Sequence, residues 1–301
     1  MRVGVIGFGS IGSRHARILR DFGHDVCIVS ARENKDFPRV SSLTDLLRLH
    51  SPEYLVIASP TSQHIEDLTE LSRQHFNGAI LIEKPLFHHS LPIPPLATTQ
   101  VAIGYNLRFH PFTQLLKDTV NTHKYVTSAV LHVGQLLTKW RPGRDYRDTS
   151  SAKRSMGGGL LRDLSHELDL ARFLFGDILD FDVTGKRSGL LEVDGPDSLK
   201  ITATTPSCER LEILLNYLDE PAQRTTTLIT DGKTTRADYV HNIWKQDDVM
   251  TIIDVQRDDT YRAMHEAVLS GDLKTCATLD DGLCIVQLID RLEEQLTEVV
   301  Q

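Results

Sequence analysis

The sequence predicts an α/β protein of two domains, a doubly wound parallel sheet followed by an α+β domain with a largely antiparallel open sheet. Its 301 residues are enough for two domains that each bury a core. The first hundred residues alternate short β-branched runs with helix-like stretches, whereas β-type runs dominate the later residues. We expect the domains to cover residues 1–104 and 105–301, with the boundary near Tyr105.

Five short runs in the first domain have the composition of buried parallel strands. Between the first two, apolar side chains recur at helical spacing over residues 11–22. Ser42 and Thr61 offer helix starts before two further apolar periods, and these intervals suit right-handed crossovers. Proline and histidine are abundant in residues 85–95, so we expect irregular structure there. The predicted strands cover residues 2–6, 25–29, 54–58, 79–82 and 101–105.

The second domain is predicted to be an antiparallel sheet with helices packed on one side. Residues 160–175 carry apolar side chains on one helical face, and two more helices are predicted at 260–269 and 281–296. Residues 231–233 have the composition of a tight hairpin turn. The predicted strands cover residues 125–133, 182–184, 198–204, 210–217, 225–230 and 234–239.

Composition and charge exclude several classes of protein. The net charge of −8 and the pI near 5.9 argue against a nucleic-acid surface, because such a surface needs clustered Lys and Arg. No run in the sequence reaches the ~18 consecutive apolar residues that a membrane span needs. The four cysteines form no Cys-x-x-Cys pair and have no histidine at zinc spacing. We therefore expect reduced thiols, a cytoplasmic location and no metal.

A glycine motif follows the first predicted strand and opens the first predicted helix. Such a turn aims backbone N–H groups and a helix dipole at one point, where a pyrophosphate can bind. Its first glycine allows the tight turn, its second the close approach of phosphates, and its third the packing of helix on strand. The motif predicts a dinucleotide site, with a purely structural turn as the alternative. Its residues are Gly7, Phe8, Gly9, Ser10, Ile11 and Gly12.

The end of the second strand indicates which dinucleotide binds. An acid at this position would recognise the ribose 2′-hydroxyl of NAD, but the chain continues as Ser30-Ala31-Arg32. A hydroxyl and a guanidinium suit a 2′-phosphate, because Arg offers paired donors where a carboxylate would repel. Glu33 is a weak competitor, and Arg32 could equally be a solvated side chain. The sequence favours NADP(H), with NAD as the alternative.

Several motifs together resemble the Gfo/Idh/MocA family of glucose-fructose oxidoreductase and inositol dehydrogenase. They are the glycine motif, Ala-Ser-Pro-Thr-Ser-Gln-His at 58–64, Glu-Lys-Pro at 83–85, the Gly-Tyr-Asn-Leu-Arg-Phe-His-Pro segment at 104–111 and the triple glycine at 157–159. These motifs occur in the family's order and spacing, and together they span both domains. The resemblance implies further cofactor contacts from Ser59, Pro60, Thr61, His64, Glu83 and Lys84.

Lys84 is the first catalytic candidate that the resemblance implies. It follows a predicted strand of the parallel sheet, and open α/β sheets bind ligands at the carboxyl ends of their strands. In the family this lysine lies near the nicotinamide and the reacting hydroxyl. A buried ammonium has a readily shifted pKa, so it can polarise a carbonyl or assist proton transfer. A cis bond before Pro85 is also expected from the resemblance.

The resemblance also implies a catalytic pair, Asp163 and His166. The histidine can take a proton from an alcohol while the carboxylate orients its ring. Many relatives separate these two residues by four positions, whereas the separation here is three. Counted without a gap, Glu167 takes the place of the family histidine. Both spacings lie on one face of a continuous helix, so we choose His166 and keep Glu167 as the alternative.

Residues 140–147 hold three arginines and two aromatic side chains, which could bind a carboxylate or phosphate and stack on a sugar ring. A solvated basic loop is an equally good interpretation. The candidates for substrate contact are Arg141, Arg144 and Tyr146 from this segment, Lys84, Asp163 and His166 from the catalytic set, and more weakly Arg108 and His110.

The expected function is hydride transfer between NADP or NAD and a hydroxyl or keto group of a sugar, sugar acid, cyclitol or nucleotide sugar. Two alternatives remain: a glycosidase or lyase that uses transient oxidation, and a dinucleotide-sensing protein without catalysis. The open antiparallel sheet also predicts a homodimer or homotetramer, because symmetric pairing would cover its exposed face.

Overall fold

A computed structural model describes residues 1–123 and 125–299, the last three by their backbone alone. The chain forms two compact units. The first contains Met1–Phe109 and Arg257–Gln287, and the second contains His110–Gln256 and the chain from Leu288 onward. The strands are β1 Arg2–Ile6, β2 Asp25–Val29, β3 Arg39–Val40, β4 Tyr54–Ile57, β5 Ala79–Ile82, β6 Val101–Ile103, β7 Val126–Gly134, β8 Phe181–Lys186, β9 Ser198–Thr205, β10 Cys208–Asn216, β11 Gln223–Thr230, β12 Lys233–Asp238, β13 Ile243–Gln246 and β14 Val249–Ile252.

The described helices alternate with the strands of the first unit and cluster in three places further along the chain. They are α1 Ser10–Asp21, α2 Leu43–Leu49, α3 His64–Arg73, α4 Pro111–Thr122, α5 Leu160–Asp163, α6 His166–Phe175, α7 Asp259–Ser270 and α8 Leu279–Val299. None of the helices in the described part of the chain is both long and apolar enough to cross a membrane.

The sheet of the first unit is parallel throughout, with the strand order β3-β2-β1-β4-β5-β6. The order reverses between β1 and β4, and open α/β sheets bind ligands at the carboxyl end of such a switch point. Strands β4 and β5 are buried along their whole length, as expected when helices cover both faces. The predicted doubly wound parallel sheet is therefore confirmed.

Helices from distant parts of the chain cover one face of this sheet. Val3, Val5 and Val56 point to that face and share a core with α1 and with Met264 and Val268 of α7. On the opposite face Leu46 of α2 packs beside Leu55 at Gly4, where an added Cβ would lie 2.5 Å from both leucine side chains. The sheet is thus enclosed by segments that are more than 200 residues apart in sequence.

The return of residues 257–287 to the first unit differs from the predicted domain boundary, which placed all of 105–301 in the second domain. The N–H of Ile103 also donates to the carbonyl of Ala277 at 2.8 Å, extending the edge of the sheet. Helical periodicity predicted α7 over nearly its observed length. It carries no information about which sheet the apolar face of the helix will cover.

The second unit is built on a mixed sheet with the order β14-β13-β12-β11-β7-β10-β9-β8. Its paired neighbours are antiparallel except β7 and β10, which run parallel. Helix α6 packs on these two central strands, and α4 packs on α6. Asp231 and Gly232 both have positive φ in the turn between β11 and β12, as the predicted hairpin requires. The predicted α+β class with a largely antiparallel sheet is confirmed.

The predicted continuous helix over residues 160–175 is wrong. It is divided into α5 and α6 at Leu164, whose ψ of 26° departs from the helical value. Helix α5 is one turn long, and its residue Arg162 forms ion pairs with Asp290 and Glu293 of α8. Apolar spacing continues across the break, so periodicity could not reveal it. Helix α4 and the hairpin β13–β14 were also not predicted.

Removing the side chain of Met264 tests the contribution of α7 to the first unit. We expect Met264→Ala to lower the free energy of unfolding of this unit by about 2–5 kcal/mol, because the side chain is 1 % exposed and its loss leaves a cavity. Native-state hydrogen exchange should show faster exchange in β1 and β4, with β10 unchanged as the internal reference. Exposed Glu266→Ala is the matched control. Unchanged protection in β1 would contradict this packing.

Candidate functional site

The glycine turn between β1 and α1 combines tight backbone packing with one open position. Gly7 has a φ of +91°, and an added Cβ would lie 2.4 Å from the carbonyl oxygen of Ala58. A Cβ on Gly12 would lie 2.0 Å from the carbonyl oxygen of Gly7, so both contacts require glycine. Gly9 caps α1 with an ordinary φ of −79°, and no atom lies within 4 Å of its added Cβ. The space at Gly9 fits the phosphates of a dinucleotide at a helix N-terminus.

The turn after β2 presents two arginines. The hydroxyl of Ser30 accepts the N–H of Arg32 at 3.0 Å, which closes the turn. Arg39 of β3 donates from Nη1 to the carbonyl of Ser30 at 3.0 Å. Arg32 and Arg39 are both exposed, and so is Glu33. Arg39 was not predicted as a site residue, because β3 has only two residues and no strand signal in the sequence.

The segment after β4 contains the predicted cofactor residues Ser59, Pro60, Thr61 and His64. The first three are partly or fully exposed, whereas His64 is 1 % exposed. Its ring lies between two carbonyls, 3.1 Å from that of Ser59 and 3.0 Å from that of Leu86. The predicted dinucleotide contact of His64 is therefore not supported by its position. The ring instead fixes the loops after β4 and β5.

Glu83, Lys84 and Pro85 follow β5, and the bond between Lys84 and Pro85 is cis, as expected. One carboxylate oxygen of Glu83 accepts the backbone N–H of Lys84 at 3.1 Å. Its other oxygen lies 2.8 Å from Nε2 of His15 on α1. Glu83 is buried and Lys84 is half-buried at the carboxyl end of the strand. Lys84 thus occupies the predicted position.

Arg108 and His110, the two weaker substrate candidates, lie in packed surroundings. Arg108 is 3 % exposed and pairs through Nη1 with Asp281 at 3.1 Å, so its guanidinium anchors α8 within the first unit. His110 accepts the N–H of Phe112 and caps α4. Burial, with a smaller effect of Arg224, lowers the pKa of His110 to about 4. These contacts argue against the predicted substrate roles, because the side chain of Arg108 is bound to Asp281 and that of His110 to the N–H of Phe112.

Asp163 ends α5 and accepts a hydrogen bond from a buried tyrosine. The hydroxyl of Tyr217 donates to Oδ2 of Asp163 at 2.6 Å. Burial, and then the charge of Asp163, raise the pKa of Tyr217 well above its ordinary value, so the phenol keeps its proton. Trp140 packs edge-on against Tyr217 at 5.3 Å between ring centroids. This tyrosine was not predicted from the sequence, because it lies 54 positions from its partner.

Glu167 and His166 differ sharply in their surroundings. Glu167 is 2 % exposed, and its Oε1 lies 2.8 Å from Nε of Arg224 on β11. His166 is the first residue of α6 and is half-buried. The ion pair gives Glu167 a structural role in the second unit, which favours His166 between the two alternatives.

The basic segment 140–147 is largely exposed, and part of its charge is neutralised internally. Arg147 binds Asp145 at 2.6 Å and Glu192 at 3.1 Å. The hydroxyl of Tyr146 accepts the N–H of Glu192 at 3.0 Å, which ties the segment to a second loop. The predicted contacts Arg141 and Arg144 belong to exposed residues. Within the described part of the chain, no group of three His, Cys, Asp or Glu side chains could hold a metal ion.

Comparison with known families gives one match. Residues 1–92 match GFO_IDH_MocA, described as "Oxidoreductase family, NAD-binding Rossmann fold". The predicted family resemblance is thereby confirmed through the N-terminal domain. No curated protein matches the chain.

Solved structures of similar fold cover nearly the whole chain. A levoglucosan dehydrogenase in complex with NADH and L-sorbose has a TM-score of 0.84 at 13 % identity, covering 99 % of this chain and 97 % of its own. The UDP-N-acetylglucosamine 3-dehydrogenase GnnA from Acidithiobacillus ferrooxidans has a TM-score of 0.77 at 18 % identity, covering 100 % and 99 %. The WlbA dehydrogenase from Bordetella pertussis, in complex with NADH and UDP-GlcNAcA, has a TM-score of 0.76 at 16 % identity, covering 99 % and 96 %. At these identities the likeness establishes the fold of both units.

Two glycine substitutions separate dinucleotide binding from folding. Gly9→Ala adds a methyl group to open space, so we expect an unchanged melting temperature and at least about tenfold weaker binding, a loss of about 1.4 kcal/mol. Gly7→Ala places its methyl against a backbone carbonyl at positive φ and should lower the melting temperature. Fluorescence titration with NADH and NADPH, together with thermal melts, measures both effects. Full affinity in Gly9→Ala would place the phosphates elsewhere.

Proposed function

We propose that the chain is an NAD-binding oxidoreductase of the Gfo/Idh/MocA family, whose model residues 1–92 match, and that it transfers hydride to or from a carbohydrate hydroxyl or keto group. The substrate class is a sugar, sugar acid, cyclitol or nucleotide sugar. The observation that carries the proposal is the position of Lys84 at the carboxyl end of β5, next to the cis-linked Pro85. Strand β5 belongs to the same parallel sheet as β1, which leads into the open glycine turn.

In this mechanism the dinucleotide, when bound, accepts or supplies the hydride at its nicotinamide ring. The glycine turn holds the pyrophosphate through the N-terminus of α1. Lys84 hydrogen-bonds the reacting oxygen and polarises it while the C–H bond breaks. Because Glu83 fixes the backbone N–H of Lys84, the ammonium approaches the substrate from a defined main-chain position.

The second unit supplies the proton acceptor in this proposal. His166 takes the hydroxyl proton during oxidation and returns it during reduction. Asp163 stabilises the imidazolium that forms, and the neutral phenol of Tyr217 orients that carboxylate without cancelling its charge. Arg141, Arg144 and Tyr146 contact the more distant part of the substrate, where exposed guanidinium groups suit an acidic or phosphorylated sugar.

NADP(H) is the preferred cofactor in this proposal, with NAD as the alternative. Support comes from the two exposed arginines at the end of β2, since Arg39 binds the carbonyl of Ser30 while the N–H of Arg32 binds its hydroxyl. Two guanidinium groups at one turn provide several donors for a 2′-phosphate. Glu33 in the same loop is the group that would oppose it.

Assembly as a homodimer or homotetramer and a cytoplasmic location also belong to the proposal. Strand β14 ends the sheet of the second unit, and its side chains Val249, Met250 and Ile252 are each more than 60 % exposed. An apolar edge strand of this kind is covered when a second copy pairs with it. Sedimentation velocity measures the assembly state. Three of the four cysteines are buried thiols without a disulfide, as is usual in a reducing compartment.

Replacing Lys84 tests the proposed chemistry. We expect Lys84→Ala to lower kcat by roughly 10²–10³-fold, the range for losing a hydrogen-bond donor that stabilises charge in the transition state. Dinucleotide affinity should stay within about threefold, because the phosphate site is formed by α1. Turnover is measured as nicotinamide absorbance over a panel of sugars, sugar acids and nucleotide sugars, with exposed Lys274→Ala as the control. Full turnover of Lys84→Ala with bound cofactor would refute the mechanism.

Charge removal at the end of β2 tests the cofactor preference. Arg32→Ala and Arg39→Ala should each lower the NADP to NAD ratio of kcat/KM by about tenfold or more, because a charge-assisted hydrogen bond contributes roughly 1.5–3 kcal/mol. The exposed Arg48→Ala on α2 is the matched control and should leave the ratio unchanged. A wild-type ratio below one that neither substitution alters would establish NAD as the cofactor.

A further inference from the structure

Four buried polar side chains form a continuous hydrogen-bonded chain inside the first unit. His15 of α1 lies 2.8 Å through Nε2 from Oε1 of Glu83, and 2.8 Å through Nδ1 from Nε2 of His265 on α7. Nδ1 of His265 lies 2.8 Å from the hydroxyl of Tyr54 on β4. Both histidines and the tyrosine are fully inaccessible to solvent. The sequence predicted none of these contacts, because His265 lies 250 positions from His15.

Hydrogen-bond chemistry fixes the direction of this chain. Burial lowers the pKa of His265 well below its ordinary value and raises that of Tyr54, so both groups are neutral. A carboxylate only accepts, so His15 must carry a proton on Nε2 to bind Glu83. The buried hydroxyl of Tyr54 donates to Nδ1 of His265, and Nε2–H of His265 donates to Nδ1 of His15. In the reverse direction Tyr54 would accept from His265, and its own buried hydroxyl proton would face no acceptor among the described residues.

The two ends of the chain have different environments. Tyr54 ends it in the core with no exposed surface, so the chain does not lead a proton out to solvent. Glu83 ends it at the carboxyl edge of β5, where its second oxygen accepts the N–H of Lys84. A carboxylate buried at this position needs donors on both oxygens, and the chain supplies one of them. The hydrogen-bonded chain therefore orients Glu83 and does not exchange protons with bulk solvent.

We propose that Tyr54, His265 and His15 are positioning residues that hold the carboxylate of Glu83 in one orientation and thereby place Lys84 against the substrate hydroxyl. This inference rests on the proposed function of Lys84. It also assigns a role to α7 beyond covering the sheet, because His265 of that helix links Tyr54 to His15. A structural staple between α1, β4 and α7 would need the same contacts, so the test must separate stability from turnover.

Tyr54→Phe is the sharpest test, because it removes one hydroxyl and keeps the ring in place. Without that donor the two imidazoles can reverse their tautomers, which releases Glu83. We expect kcat to fall by about tenfold, as for a small displacement of a catalytic group, while KM for the dinucleotide stays within twofold. Tyr239→Phe in the second unit, which loses its hydroxyl contact to Thr113, is the control for stability. A kcat equal to that of wild type would overturn the proposal.

The tautomers provide a second readout that needs no turnover. In protein carrying ¹⁵N-labelled histidine, His15 and His265 should both bear their proton on Nε2, and Tyr54→Phe should change this pattern. Wild-type rings protonated on Nδ1 would overturn the proposal. His15→Gln retains a donor near the position of Nε2, so it should keep more activity than His15→Leu at equal melting temperature. Equal activity of these two variants would indicate a purely structural staple.

Failure of the proposed function has its own signature. If the wild-type enzyme oxidises or reduces no member of the sugar panel, hydride transfer to carbohydrates is refuted. Reductive ¹³C-methylation of the lysines then decides the positioning role, with the Lys84 signal assigned by its absence in Lys84→Ala. A shift of that signal in Tyr54→Phe but not in Tyr239→Phe supports the proposal, and an unmoved signal overturns it.

Discussion

Backbone contact at the end of β1 is the constraint on which the first unit depends. Gly7 lies against the carbonyl of Ala58 and Gly12 lies against that of Gly7, so α1 can occupy only one position on the sheet. That position directs the helix N-terminus into the open space at Gly9. One turn further along, it also brings His15 to Glu83. The same glycines therefore set both the dinucleotide site and the orientation of a buried carboxylate after β5.

The acids of the two units have chemically different partners. Glu167 pairs with the guanidinium of Arg224 within the second unit. Asp163 accepts a hydrogen bond from the phenol of Tyr217, and Glu83 contacts an imidazole and accepts from a backbone amide. Glu83 and Glu167 are buried, so these contacts replace hydrogen bonds that the carboxylates would otherwise make to water.

Local signals in the sequence predicted much of the fold, and distant contacts account for most of what was missed. The glycine turn, the strands of the parallel sheet and the cis bond at Pro85 depend on neighbouring residues or on a family motif, and each is confirmed. The break at Leu164 was missed because the apolar spacing continues across it. Arg39 was missed because the two-residue strand β3 gives no strand signal, and Tyr217 and His265 were missed because their partners are distant in sequence. For the same reason the sequence could not predict that Arg108 and His64 are enclosed by other groups.

The placement of α7 has a consequence for how the chain is made. The first 103 residues contain all six strands of the parallel sheet, yet the face beside Val3, Val5 and Val56 is completed only by Met264 and Val268. During synthesis from the N-terminus, that face stays without α7 until Asp259–Ser270 have been synthesised. Exposed apolar sheet surface promotes aggregation during folding. The sheet therefore stays incomplete while His110–Gln256 of the second unit are synthesised, and chaperones can bind it during that interval.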